Sequence, residues 1–142
     1  MKKVKAILDT KGHDFISIGP DETVFAAIKL LSENEIGSLL VMEQDRLVGI
    51  FTERDYARKV ILEGRLSKDT AVGDVMSRSV LCVSPDRSVD ECMALMTEKR
   101  VRHLPVVDHK KVVGVLSIGD LVKAIISEQQ FVIDQLQHYI TG

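Results

Sequence analysis

The seven-residue phrase GIFTERD, Gly49–Asp55, returns 65 residues later as GVLSIGD, Gly114–Asp120. Each phrase has a glycine, two apolar residues, a hydroxyl residue and, three positions after the hydroxyl residue, an aspartate. At the same offset, residues 16–61 align with residues 81–126 without a gap, and eleven of the aligned pairs are identical. A fixed offset over so long a stretch indicates a structural unit that occurs twice in the chain.

Both copies have the same order of apolar and polar segments. A short apolar stretch leads to Pro-Asp, and we expect its aspartate, Asp21 or Asp86, to cap the helix that follows. Two apolar runs around a polar turn then predict a β-hairpin, and a second helix comes after it. Each copy is therefore β-α-β-β-α, which makes the chain α/β of the α+β type, and a short helix precedes each copy. Apolar residues at helical spacing define the buried face of the first helix in each copy: Val24, Ala27, Ile28 and Leu31; Val89, Cys92, Met93 and Met96.

The segments predict a simple domain organisation. Residues 1–64 form the first repeat with its short N-terminal helix, and residues 65–71 form a polar linker. Residues 72–126 form the second repeat, and residues 127–142 form a C-terminal helical extension. Gly64 is expected to end the second helix of the first repeat, since glycine commonly follows the last helical turn.

Composition restricts the classes of function. The 142 residues carry a net charge of −2 and are 45% hydrophobic, as expected for a globular protein without a general attraction to nucleic acid or an anionic membrane. The first apolar run stops at Leu8, too early for a signal peptide, and no window reaches the roughly 18 apolar residues of a membrane span, so we expect a cytoplasmic protein. Cys82 and Cys92 do not form a CxxC motif, so we expect thiols without a metal or redox role.

The repeated phrase has two interpretations from its residues alone. Thr52 with Asp55, and Ser117 with Asp120, have the spacing of a capping box that starts a helix. Alternatively, the hydroxyl and the helix N-terminus would hold a phosphate, while the aspartate accepts hydrogen bonds from the two hydroxyls of a ribose. In this second interpretation the glycine of the phrase lets a ligand approach the strand.

The whole chain resembles a stand-alone pair of cystathionine-β-synthase (CBS) domains, an arrangement called a Bateman module. The resemblance depends on the gapless repeat, on the two phrases and on VRHLPVVD at Val101–Asp108. It implies two β-α-β-β-α repeats packed sheet to sheet about a pseudo-twofold axis, with two clefts between them. Many such pairs bind AMP, ADP, ATP, NAD or S-adenosylmethionine in these clefts, and others have no known ligand.

The resemblance also implies roles for the residues of the repeated phrase. Asp55 and Asp120 match the family's ribose-binding aspartate, and Thr52 and Ser117 match its phosphate-facing hydroxyl. Because both copies keep both residues, the resemblance implies a nucleotide site for each copy, with AMP as the first expectation and no metal.

Basic residues distinguish the two copies. Arg102 with His103 in the second copy resembles a pair that holds phosphate in the family, with a solvated surface pair as the alternative, and Arg54 in the first copy is a further phosphate candidate. None of the three has a basic counterpart at the aligned position. Arginine suits this role because its guanidinium is always charged and matches the geometry of phosphate. We therefore expect two inequivalent sites. Lys11 and His13 precede the first strand, where they would line a pocket or lie in a solvated turn, and the turn is the favoured expectation.

The residues that the resemblance implies for adenine binding are less specific than those for the ribose and the phosphate. In the resembling family it lies against apolar residues of the strands, and its edge meets backbone groups. The corresponding residues lie near the start of the first strand and at the start of the second strand in each copy: Asp14, Phe15, Ile16 and Ile36; Ser79, Val80, Leu81 and Val101.

Three classes of function follow. The leading hypothesis is a regulatory module that senses an adenine nucleotide, and so energy or redox state, and signals to an unidentified partner protein. The alternative is a ligand-free scaffold or dimerisation module in which the hydroxyl–aspartate pairs only cap helices. An enzyme is disfavoured, because the sequence has no paired nucleophile and base, no metal cluster and no Walker loop.

The C-terminal extension predicts self-association. Members of the resembling family commonly form dimers, and the apolar residues of the extension need a surface to cover. We therefore expect a homodimer in which these residues take part: Phe131, Ile133, Leu136 and Ile140.

Overall fold

The computed structural model describes residues 2–141, and its elements follow the predicted order in a mixed α/β fold with two small sheets. The short helices predicted before each repeat are present as α1 and α4. The second helix of the first repeat is divided into a single α-helical turn and a π-helix. The elements are α1 Val4–Lys11, β1 Ser17–Ile18, α2 Val24–Asn34, β2 Ser38–Glu43, β3 Arg46–Thr52, α3 Glu53–Asp55, the π-helix Tyr56–Ile61, α4 Val72–Val75, α5 Val89–Lys99, β4 His103–Asp108, β5 Lys111–Ser117 and α6 Ile118–Thr141.

The chain forms two compact units. The first-repeat unit is residues 15–81, and the second-repeat unit comprises the described residues of 1–14 and 82–142. The structural division therefore places α1 in the unit of the second repeat, whereas the sequence division placed it with the first. Backbone bonds explain the grouping, since Val4 N donates to Arg87 O and Lys5 N donates to Pro85 O.

The first-repeat unit has a sheet of β1, β2 and β3. β1 runs parallel to β2, and β2 and β3 form the predicted antiparallel hairpin. Gln44 and Asp45 form its turn with positive φ angles of 49° and 62°, as two-residue hairpin turns of type I′ require. The core contains residues from α2, all three strands, the π-helix and α4, and it confirms the predicted apolar face of α2: Ile18, Val24, Ala27, Leu31, Leu39, Val41, Phe51, Val60, Val72, Val75 and Met76.

The second-repeat unit repeats the hairpin as β4 and β5. Its first strand is reduced to a single parallel bridge between Val83 and Val106. α5 buries Val89, Cys92 and Met96, as its spacing predicts, and it packs against α6. Cys82 and Cys92 are not joined in a disulfide, and burial raises the pKa of each thiol.

The caps of α2 and α5 differ from the prediction. The hydroxyl of Thr23 accepts a hydrogen bond from Ala26 N at 3.1 Å, and the hydroxyl of Ser88 accepts from Glu91 N at 3.1 Å. The assignment of Asp21 and Asp86 as caps was wrong, because each helix begins two residues later and leaves these aspartates exposed before it.

The helices after the two hairpins differ in form. In the first-repeat unit, Leu62 N donates to Ala57 O at 3.0 Å in the π-helix pattern, and Gly64 follows with a φ of 70°, as its predicted role requires. In the second-repeat unit, α6 continues for 24 residues, and its side chains from Ile126 to Ile140 are exposed. Within residues 2–141, no helix is both long and apolar enough to cross a membrane.

Candidate functional site

The repeated phrase forms the same capping box in both units. Asp55 N donates to Thr52 Oγ1 at 3.0 Å, and Thr52 N donates to Asp55 Oδ2 at 3.0 Å. Asp120 N donates to Ser117 Oγ at 3.1 Å, and Ser117 N donates to Asp120 Oδ2 at 2.8 Å. The capping interpretation is therefore correct in both copies, and the short aspartate side chain does reach back to the cap.

Asp55 is fully engaged inside the first-repeat unit. Its Oδ1 accepts a hydrogen bond from Ser77 Oγ at 3.1 Å and lies 3.3 Å from Lys59 Nζ. The residue is 7% exposed. Both carboxylate oxygens therefore have donors from their own unit, and a ligand hydroxyl would have to replace one of them.

Asp120 has a different set of partners. Its Oδ2 accepts from Lys11 Nζ at 2.6 Å in addition to Ser117 N, and the same ammonium donates to Val115 O at 2.8 Å. The side chain is 20% exposed, against 9% for Asp55. Among the described residues no hydrogen bond ends on Asp120 Oδ1, so this oxygen is the more available acceptor.

Lys11 and His13 are both exposed, as a solvated turn implies, but each also has a specific contact within the second-repeat unit. Lys11 is the last residue of α1 and bonds to β5 and Asp120, while His13 Nδ1 lies 2.7 Å from Val113 O on β5. These contacts exist because α1 packs in the second-repeat unit. Their partners are 100 residues or more away along the chain. Local sequence carries no signal for such contacts.

Charges around Asp120 are coupled. His103 starts β4 directly opposite Ser117. Burial lowers the pKa of His103, and the charges of Lys11 and Arg102 act in the same direction, whereas Asp120 opposes them. Burial raises the pKa of Asp120, but the hydrogen bonds from Lys11 and Ser117 outweigh burial and hold this pKa below its usual value. Lys11, Arg102, His103 and Asp120 are therefore one electrostatic group, which we call the Asp120 cluster.

The glycines of the two phrases leave space that side chains of the protein fill. A Cβ atom built on Gly49 would lie 2.5 Å from Met76 Sδ and 2.9 Å from Ser77 O. One built on Gly114 would lie 2.7 Å from Leu8 Cδ2. The space expected for a ligand is filled by Met76 in one unit and by Leu8 in the other, so the glycines serve packing within each unit.

The remaining predicted residues are distributed between the units. Arg54 and Arg102 are exposed, and His103 is half-buried. Six of the implied adenine-binding residues belong to the first-repeat unit: Phe15, Ile16, Ile36, Ser79, Val80 and Leu81. Asp14 and Val101 belong to the second-repeat unit, so the adenine positions do not divide as the repeats do, and their role stays a prediction.

A cavity of about 520 Å³ lies in the first-repeat unit, between the C-terminal part of α2 and the start of α3. Ile36 is among its lining residues, but the charged lining residues are Glu35 and Glu53. Because the described lining residues include two carboxylates and no basic side chain, the charge of this cavity disfavours a phosphate. Within residues 2–141, no three His, Cys, Asp or Glu side chains are grouped as metal ligands.

Two segments of the chain, residues 4–62 and 72–127, match the CBS domain. The chain belongs to the CBS-domain family. This tandem CBS pair is 43% identical over 127 residues to the CBS domain-containing protein CBSX3, mitochondrial, of Arabidopsis thaliana. The match covers 86% of this chain and 62% of that protein, so the pair spans less than two thirds of this relative.

Solved structures share the fold. The crystal structure of the CBS domain NE2398 is 52% identical and has a TM-score of 0.84, over 88% of this chain and 98% of that chain. The CBS domain pair of MJ0100, in complex with 5-methylthioadenosine and S-adenosyl-L-methionine, is 25% identical with a TM-score of 0.78, over 90% of this chain and 98% of that chain. A hexameric CBS-CP12 protein from bloom-forming cyanobacteria is 29% identical with a TM-score of 0.71, over 84% and 70% of the two chains.

Proposed function

We propose that this CBS pair is a regulatory module that binds an adenine nucleotide, with AMP as the first candidate and ADP, ATP or NAD as further ones. The observation that carries the proposal is the Asp120 cluster, in which a carboxylate oxygen that accepts no hydrogen bond from residues 2–141 lies beside basic side chains. The ligands of MJ0100 are both adenosine derivatives, which supports this class of ligand.

The ribose and the phosphate of an adenine nucleotide each have a partner of suitable chemistry in the second-repeat unit. Asp120 Oδ1 accepts from a ribose hydroxyl. The phosphate is held by the Ser117 hydroxyl and by the positive end of the helix dipole at the start of α6, which favours an anion. Arg102 is exposed next to His103 and adds a permanent positive charge.

The first-repeat unit is the weaker candidate. Thr52 and Arg54 are present there, but Ser77 and Lys59 already occupy the oxygen of Asp55 that corresponds to the open one of Asp120. A scaffold role is therefore the second candidate function, and the closed capping boxes favour it for the first-repeat unit. Regulation by the module requires a ligand that binds two shapes of the protein with different affinity, whereas a scaffold needs no ligand.

Calorimetric titration with AMP and 2′-deoxy-AMP tests the proposed function. A hydrogen bond to a charged group contributes about 1.5–3 kcal/mol, so 2′-deoxy-AMP is expected to bind roughly tenfold to hundredfold more weakly than AMP. Asp120→Asn should remove most of this difference, because it removes the charge from the acceptor while keeping a side chain that can cap α6.

Asp55→Asn is the matched control, at the equivalent position of the first-repeat unit. It should leave the ratio between the two ligands nearly unchanged. Equal affinities of the wild-type protein for AMP and 2′-deoxy-AMP would show that neither aspartate contacts the ribose, and the scaffold function would then be the better account.

We further propose that the C-terminal part of α6 joins two copies of the chain in a homodimer. Its exposed apolar side chains are too many for a helix surrounded by water. Ile126, Ile133, Leu136 and Ile140 lie three, four or seven residues apart and form one stripe along the helix, and Val132 and Tyr139 flank it.

Sedimentation at micromolar concentration measures the mass of the protein in solution and so tests this prediction. The wild-type protein should have about twice the 15.8 kDa mass of one chain. Ile133→Glu with Leu136→Glu should reduce it to a single chain, because the two carboxylates would have to be buried in the interface. Gln135→Glu adds a charge to an exposed position off the stripe and should leave the dimer intact. A single-chain mass for the wild type would contradict the proposal.

A further inference from the structure

We infer that Lys11 is a specificity-determining residue of the proposed site, which makes the second-repeat unit select adenosine ligands that carry an anionic phosphate. Neutral nucleosides and the cationic sulfonium of S-adenosylmethionine are disfavoured. The inference rests on the proposed function, since it concerns the ligand of the Asp120 cluster.

The position of Lys11 is fixed by the packing of α1. Leu8, one turn earlier, is 1% exposed and fills the space over Gly114, so the end of α1 is held against β5. From there the ammonium of Lys11 donates to Asp120 Oδ2 and to Val115 O, at 2.6 and 2.8 Å. The lysine is thus placed on the carboxylate before any ligand binds.

Lys11 and a ribose compete for the same carboxylate. Two ribose hydroxyls need two acceptor positions, but Asp120 Oδ2 already receives the backbone N–H of Ser117 and the ammonium of Lys11. A diol that uses both oxygens therefore displaces the ammonium. The side chain of Lys11 is 36% exposed and has a flexible four-carbon stem, so it can turn toward a group next to the ribose.

The charge of that neighbouring group decides the outcome. A phosphate gives the displaced ammonium a new charge-assisted hydrogen bond, which compensates for the one lost to the ribose. A neutral nucleoside gives it none, and a sulfonium repels it. Arg102 acts in the same sense, because it adds a second permanent positive charge to the cluster.

The first-repeat unit provides the contrast. The oxygen of Asp55 that is not used in the capping box is met by the neutral hydroxyl of Ser77 and by Lys59, which comes from the same helical segment. Lys59 aligns with Ala124 in the second copy, so the two lysines are not equivalent by sequence. Lys59 is therefore a matched control, a lysine that contacts the corresponding aspartate outside the Asp120 cluster.

Titration of the full chain with AMP, adenosine and S-adenosylmethionine tests the inference. Lys11→Met should weaken AMP roughly tenfold, the loss expected for one charge-assisted bond. Adenosine and S-adenosylmethionine should bind as well as before or more tightly. The ratio of AMP to adenosine affinity should therefore fall by about tenfold or more, and Lys11→Arg should retain it.

The control variants Lys59→Met and Lys5→Met should retain the wild-type ratio of AMP to adenosine affinity. Lys59 contacts Asp55 and not Asp120, and Lys5 is an exposed lysine on the same helix as Lys11. If Lys11→Met lowers the melting temperature, Lys11→Gln is the second neutral variant, since its amide can still donate to Asp120. An unchanged ratio in a folded neutral variant overturns the inference, while AMP binding by the wild type leaves the proposed function standing. If neither AMP nor adenosine binds the wild type, both are wrong.

Discussion

Replacing Gly49 with alanine is expected to destabilise the first-repeat unit by about 3 kcal/mol, at the upper end of the usual range for overpacking. The new Cβ atom would lie 2.5 Å from Met76 Sδ and 2.9 Å from the backbone oxygen of Ser77. The Met76 side chain can adjust, but the Ser77 backbone is held, because Ile50 and Ser77 exchange two hydrogen bonds of 2.9 Å. The alanine therefore clashes with a part of the unit that cannot move without breaking them.

Two other glycines provide the controls for this prediction. Gly114→Ala should cost about 1–2 kcal/mol, because its Cβ would meet only the side chain of Leu8, which can change rotamer. Gly19→Ala should cost little, since its Cβ would have Glu22 Cγ as the nearest atom, at 4.0 Å. Urea denaturation measures all three. Equal losses for Gly49→Ala and Gly19→Ala would contradict the packing role of the glycine.

Features governed by neighbouring residues in the chain could be predicted from the sequence. The apolar spacing of Val24, Ala27 and Leu31 specifies which helix face is buried, and two apolar runs around a short turn specify a hairpin. The capping boxes follow from the three-residue distance between hydroxyl and aspartate. In each case the interacting groups are a few residues apart, so their relative positions are set by the local backbone.

Features that depend on distant segments could not be predicted. The apolar face of α1 indicates that Val4 and Leu8 are buried, but periodicity does not identify the repeat that covers them. Lys11 and Asp120 are 109 residues apart, and neither the spacing nor the type of these residues predicts their ion pair. The glycine of the repeated phrase was expected to let a ligand approach the strand, but a side chain of the same unit lies there.

The start of α2 shows a limit of another kind. Asp21 and Thr23 are both suitable N-cap residues, so side-chain chemistry alone does not choose between them. The tertiary structure chooses Thr23, because Val24 N donates to Thr70 O and Val24 is buried at the first helical position. A sequence pattern therefore predicts that a helix begins near Pro-Asp, and packing decides the residue.

The two aspartates of the repeated phrase should differ in their contribution to stability. Asp55→Ala is expected to lower the free energy of unfolding by about 2–3 kcal/mol, more than the roughly 1 kcal/mol of a lost cap, because it also removes the acceptor of Ser77 and Lys59. Asp120→Ala should cost about 1–1.5 kcal/mol, because Lys11 is exposed enough to be hydrated when its partner is lost.

Urea denaturation of the two variants, with Ser77→Ala as a third, separates capping from burial. Ser77→Ala should cost about 1 kcal/mol, since it removes one donor from Asp55 but leaves the capping box intact. Equal and small losses for Asp55→Ala and Asp120→Ala would show that both aspartates act only as caps. A larger loss at Asp55 would mean that Ser77 and Lys59 hold this carboxylate in place within the first-repeat unit. Asp120 would then be the aspartate that keeps an oxygen available for a ligand. The same seven-residue pattern would then serve mainly structure in one repeat and binding in the other.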